Sequence, residues 1–168
     1  METIHSLISL KKKGCKTGSL HIIRPFPSKN IVGLKNSPVS IESDDNQTLD
    51  FLIQLCKKLK LKTLVFAKDL NEALKVEKLK PDYLVFEPPE LVGGNKSVSS
   101  AKPQLIKKIS ENLKMNFLVG AGIKTKSDID TAIMLGASGI VISSVVANST
   151  NPLKNLRRIL SWTRTGRN

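Results

Sequence analysis

Several things are scarce in this chain of 168 residues. Aromatics make up 4%, with one Trp, one Tyr and five Phe. The interior must therefore be built from Leu, Ile and Val, as the interiors of parallel sheets usually are. Only two cysteines occur, Cys15 and Cys56, with no Cys-x-x-Cys and no histidine nearby. That argues against a disulfide framework and against a metal site, and fits a reducing, cytoplasmic compartment. No apolar run is long enough to cross a membrane. Lys11-Lys12-Lys13 is not followed by the apolar stretch of a secretory signal.

Acidic residues are also few, and their distribution matters more than their number. The formal charge is +13. Residues 1–35 carry seven Lys/Arg against Glu2 alone, and residues 131–168 carry five Lys/Arg and no acid. The middle of the chain, with fifteen basic and thirteen acidic residues, is nearly balanced. An excess confined to the ends reads as solvated tails or helix faces. A nucleic-acid partner, which a net positive charge would otherwise invite, is kept as an alternative only.

What is present is a regular alternation. Forty per cent of residues are hydrophobic, enough for a folded domain. Short continuous apolar runs lie at Ile31–Leu34, Thr63–Ala67, Tyr83–Phe86, Phe117–Val119 and Gly139–Ile142. Runs of this kind are strands buried on both faces. Amphipathic segments lie between them. Gln47–Lys60 gathers Leu49, Leu52, Ile53 and Cys56 on one face. Asp69 is placed to cap a helix over Leu70–Leu79. Pro103 suits the first turn of a helix reaching about Lys114. Another helix opens at Lys126 or Ser127 and stops at Gly136, and Asn151-Pro152 starts a last one through Trp162. The pattern predicts an α/β fold of about five βα units with parallel strands. A complete (β/α)8 barrel needs roughly 200 residues or more, so this array is short by about three units. The expected organisation is an irregular basic segment over 1–29, a partial barrel over 30–163 and a basic tail over 164–168.

In such folds chemistry gathers at the C-terminal ends of the strands. Three strand ends stand out. Glu87 closes the run Tyr83–Phe86, where poor solvation raises a carboxyl toward the range of a general base. Pro88-Pro89 stiffens the start of the next loop and Gly93-Gly94 frees its far end, as a closing loop requires. Gly120-Ala121-Gly122 succeeds Val119, and glycines there let backbone N–H groups approach an anion. Ser143-Ser144 ends the last predicted strand, next to the glycine turn. The two together make a phosphate grip one strand over from Glu87.

The motifs Pro-Asp-Tyr-Leu-Val-Phe-Glu-Pro-Pro-Glu-Leu-Val-Gly at 81–93, Val-Ser-Ser-Ala-Lys-Pro at 98–103, Gly-Ala-Gly-Ile at 120–123 and Leu-Gly-Ala-Ser-Gly-Ile-Val at 135–141 stand in this order. In them the chain resembles the archaeal type of triosephosphate isomerase, from about Leu34 to Leu160. The resemblance implies a partial TIM barrel that interconverts dihydroxyacetone phosphate and glyceraldehyde 3-phosphate, in glycolysis and gluconeogenesis, without a cofactor. It implies Glu87 as the proton-abstracting base and Val92 in the loop that closes over substrate. It places Gly122, Ser143 and Ser144 where backbone amides hold the phosphate.

The chain also departs from that family. Its Asn-x-Lys strand end has no counterpart in residues 1–30, and Asn36 stands where an electrophilic histidine is expected. The only histidines are His5 and His21. Val145 replaces a glycine after the serine pair and would resist a left-handed backbone. These departures predict an isolated chain that is weak or inactive as an isomerase, because one oxyanion-type donor is worth roughly 10²–10³ in rate. A truncated homologue that binds phosphorylated metabolites without turnover is the alternative. Open sheet edges predict a homo-oligomer.

Overall fold

In the computed structural model, residues 39–41, 46–59 and 61–164 are described. Among these described residues five strands alternate with helices. The strands are β1 (Val39–Ile41), β2 (Thr63–Ala67), β3 (Tyr83–Phe86), β4 (Phe117–Val119) and β5 (Gly139–Ile140). The helices are α1 (Asn46–Lys58), α2 (Leu70–Leu79), α3 (Val98–Ala101), α4 (Pro103–Asn112), α5 (Lys126–Met134), α6 (Ser144–Ala147) and α7 (Pro152–Arg164), with a 3-10 turn at Pro89–Leu91. The sheet order is β1-β2-β3-β4-β5. β1 runs parallel to β2 with Ser40 opposite Leu64, and β4 parallel to β5 with Val119 opposite Ile140. Parallel neighbours in chain order, each joined by helix, make this a run of βα units of a TIM barrel.

The predicted strand Ile31–Leu34 lies outside the described residues; the first described strand is Val39–Ile41, which no apolar run announced. β5 covers only Gly139–Ile140, although the Val141 N–H still donates to the Val119 carbonyl at 2.9 Å. The helix ends obey local chemistry. Asp69 accepts the Glu72 N–H at 2.8 Å and so caps α2, while the Glu72 carboxylate accepts the Lys68 N–H one residue before the cap at 2.7 Å. Pro103 opens α4. Gly136 takes φ +102° after α5, as a C′ glycine should. Asn151 accepts the Lys154 N–H at 3.0 Å at the start of α7.

The described residues form two compact units. One holds those up to Phe66 together with Lys75–Leu84, the other Ala67–Leu74 together with those from Val85 on. In the first, Leu49, Leu52, Ile53 and Cys56 of α1 are buried, as their shared face predicts, along with Leu64 and Val65 of β2. Asp82 secures the start of β2. It accepts the Thr63 N–H at 2.8 Å and the Thr63 hydroxyl at 3.0 Å, and pairs with Lys62 at 2.7 Å. Burial pushes the Asp82 carboxyl up, but these partners together hold it below its ordinary value.

Burial, with the Asp82 charge adding to it, pushes the Cys56 thiol up to about 11. Thiolate is the reactive form. Cys56 is therefore expected to resist a thiol-specific alkylating reagent at about pH 8 until the chain is denatured. Peptide mass spectrometry reads this, and equal labelling of folded and denatured chain would contradict it.

In the second unit Val85, Phe86, Phe117 and Val119 are buried within the strands. Ile106 and Ile109 of α4, Ile129 and Ala132 of α5 and Ile159 of α7 are buried from the helices. The candidate site belongs wholly to this unit. Among the described residues no helix is long and apolar enough to cross a membrane.

Candidate functional site

Glu87 comes directly after β3. Its N–H donates to the Ala67 carbonyl at 2.9 Å, which extends the ladder by one residue and fixes where the side chain starts. The residue is half-buried. Burial raises its carboxyl above the ordinary glutamate value, and a hydrogen bond from the Ala121 N–H offsets part of that rise. This is the environment the strand end predicts for a general base.

The turn after β4 closes on this carboxylate. The Gly120 N–H donates to the Phe86 carbonyl at 2.9 Å, so the ends of β3 and β4 are level. Ala121 has φ +75° and Gly122 φ +67°. A Cβ on Gly122 would lie 2.3 Å from the Lys96 carbonyl oxygen, so the backbone before α3 packs where any other residue would carry its side chain. The Val98 N–H donates to the Ala121 carbonyl at 3.1 Å.

The loop between β3 and α3 carries the remaining expected features. Val92 is 56% exposed at the end of the 3-10 turn, with its N–H on the Pro89 carbonyl at 3.1 Å. Gly93 has φ +72° with open space around it. Two lysines hold this loop. Lys124 donates to the Gly94 carbonyl at 2.8 Å, and Lys102 pairs with Glu90. The loop ends at Ser97, which is 4% exposed, caps α3 and donates to Asp128 Oδ1 at 2.5 Å. Asp128 also accepts the Lys124 N–H at 3.0 Å, the Thr125 N–H at 2.8 Å and the Thr125 hydroxyl at 2.8 Å. It thereby completes a capping box at the start of α5. Burial works to raise the Asp128 carboxyl, but these four donors hold it below its ordinary value.

Ser143 and Ser144 stand one strand further on. Ser143 is exposed and precedes α6; Ser144 begins it and is half-buried. Asn155 of α7 donates to the Val145 carbonyl at 2.5 Å. Val145 lies within the right-handed turn of α6, so the predicted resistance to a left-handed backbone does not arise. The strand order β3-β4-β5 sets Glu87, Gly122 and the serine pair on three successive strand ends. His5, His21 and Asn36 lie outside the described residues.

The sequence marks Gly120-Ala121-Gly122 as a phosphate turn without joining it to Glu87, and it passes over Lys124, Ser97 and Asp128 as parts of the site. Thr125 with Asp128 could have been found in the capping-box spacing. Nothing local marks the pairing of Ser97 with Asp128. Among the described residues no group of three or more His, Cys, Asp or Glu could hold a metal ion.

Known proteins share parts of this chain. Residues 65–168 match the family model described as thiazole biosynthesis protein ThiG. The triosephosphate isomerase of Thermoplasma volcanium is 38% identical over 117 residues, covering 68% of this chain and 50% of that protein. That of Methanocaldococcus jannaschii is 34% identical over 121 residues, covering 68% of this chain and 54% of that protein. The chain thus spans about half the length of the curated relatives it matches. Among solved structures, 3-hexulose-6-phosphate synthase superposes with a TM-score of 0.59 at 15% identity, over 74% of this chain and 60% of that one. That last likeness is one of fold.

Proposed function

The chain belongs to the family described as thiazole biosynthesis protein ThiG, a TIM-barrel family; from its triosephosphate isomerase relatives, about half of whose length it spans, we propose that it acts on a phosphorylated triose, with Glu87 as the base. The observation that carries this reading is the desolvated Glu87 carboxyl at a strand end, flanked by the Gly120-Ala121-Gly122 turn. In this reading Glu87 removes a proton from the carbon beside the carbonyl of dihydroxyacetone phosphate. It returns that proton to the former carbonyl carbon, while a proton moves from one oxygen to the other. Atoms and electrons balance without a cofactor. Backbone amides at Gly122, Ser143 and Ser144 hold the phosphate, and the loop carrying Val92 covers the substrate.

A coupled assay with glyceraldehyde 3-phosphate tests the proposal on the purified chain. Turnover that saturates with substrate and is lost with the Glu87 carboxylate is the expected result. Binding of 2-phosphoglycolate by calorimetry, with no turnover, would replace the isomerase by a protein that holds phosphorylated metabolites. The family model favours a second reading, a role in thiazole biosynthesis. It gains if neither turnover nor phosphoglycolate binding is found.

A further inference from the structure

The volume beside Gly120 is already occupied. An ideal Cβ there would lie 2.3 Å from Glu87 Oε1 and 3.0 Å from its Cδ. Real Cβ atoms do not approach that closely, so the carboxyl fills the space a side chain at 120 would need. The next residue is the one alanine among the described residues with a left-handed backbone, at φ +75°. An L-residue with a Cβ takes this conformation at a cost, and strained residues persist only where their surroundings over-determine them. The surroundings here do so. The Ala121 N–H donates to the Glu87 carboxyl, and the Ala121 carbonyl accepts the Val98 N–H at 3.1 Å. Ala121 is also 5% exposed, so its peptide has little room to turn.

We propose that Gly120 and Ala121 form the positioning element of the Glu87 carboxyl: the absent side chain at 120 makes room for it, and the left-handed backbone at 121 aims an N–H at it. The proposal deepens the reading of Glu87 as the base and rests on it. A base must sit within a narrow geometry to take a proton from carbon, and a displacement of about 1 Å can cost about 10²-fold in rate. Burial alone would leave this carboxyl without a fixed orientation. The turn after β4 supplies one, from backbone atoms that cannot rotate away.

NMR on the intact chain tests this without depending on turnover. In the wild type the Ala121 amide proton is expected to shift with pH at the same midpoint as the Glu87 side-chain carboxyl carbon. In Glu87→Gln that inflection should vanish. An Ala121 amide that ignores the Glu87 titration overturns the proposal, and no variant has to fold for that result. Gly120→Ala is expected to uncouple the two signals and to lower kcat by about 10²-fold while changing KM far less. A Gly120→Ala chain with both coupling and kcat intact also overturns it. The double variant Glu87→Asp with Gly120→Ala removes the steric conflict by shortening the acid, so it should regain the stability lost in Gly120→Ala without regaining kcat. Should wild-type chain show no isomerisation, the isomerase reading falls while the amide titration still decides the positioning role.

Discussion

Glu87→Gln is expected to lower kcat for triose phosphate isomerisation by about 10²–10⁴-fold, the range that a positioned general base supplies. The change is nearly isosteric and leaves an oxygen able to accept the Ala121 N–H, so the loss reports the missing base rather than a disturbed turn. The pH dependence gives a second reading of the same group. Burial raises the Glu87 carboxyl above its ordinary value. Activity needs the ionised form, so the acid limb of the kcat/KM profile, which reports groups of the free chain, should fall at a pH above the ordinary glutamate value of about 4.3. A profile with no such limb would remove Glu87 from the base role.

Stability should move the opposite way. A carboxyl whose pKa is higher in the folded chain than in the unfolded one binds more protons when folded. Its favourable contribution is present at low pH and is lost as pH rises through the folded pKa. At neutral pH the ionised, half-buried Glu87 therefore costs stability. Glu87→Gln is expected to raise the melting temperature there, with the advantage shrinking in acid. An inactive and more stable variant would show a site that gives up stability for function. An inactive variant that melts earlier would instead point to misfolding as the cause of the lost rate.

Asp128→Ala, by contrast, is expected to cost stability, about 2–3 kcal/mol by chemical denaturation, the scale of lost hydrogen bonds to a charged group. The side chain accepts from the Ser97 hydroxyl, the Lys124 N–H and both the N–H and hydroxyl of Thr125. Removing it leaves Ser97, 4% exposed, without that acceptor. It also removes the N3 half of the α5 capping box, leaving the Thr125 N–H without its acceptor while the Thr125 hydroxyl still accepts the N–H at position 128. Asp128 is held below its ordinary pKa, so its contribution is present at neutral pH and lost as pH falls through the folded pKa. The deficit of Asp128→Ala should accordingly shrink in acid. A constant deficit across that range would mean that the carboxylate charge is not what the four donors recognise.

The consequence for function is indirect and measurable. Ser97 ends the loop that carries Val92, and Lys124 reaches that loop at the Gly94 carbonyl. Loss of Asp128 frees the start of α5 and the end of the loop together. In this respect Asp128 supports the loop from outside the reacting centre.

Much of this site is legible from residues close together in the chain. Glu87 stands out because a charged residue ends a run of four apolar ones, and that contrast needs no fold to be seen. Asp69, Pro103, Gly136 and Asn151 read as helix ends because caps act over three or four residues. The spacing of strands and helices determines the βα order for the same local reason. The strand at Val39–Ile41 escapes because three residues carry too little apolar signal. Val145 misleads because its backbone is set by the short helix α6, which a strand pattern through Ile142 hides.

What only the tertiary structure decided is which neighbour each residue serves. Gly120 reads in sequence as one glycine of a phosphate turn. The level ends of β3 and β4 make it the residue whose missing side chain admits Glu87. Ala121 reads as a small spacer, yet its left-handed backbone turns an N–H onto the same carboxyl. Ser97 and Asp128, 31 positions apart, meet because α3 and α5 pack together. Caps and apolar runs are properties of adjacent residues and survive in a one-dimensional reading. Excluded volume between strand ends is a property of register, which exists only once the parallel strands have paired.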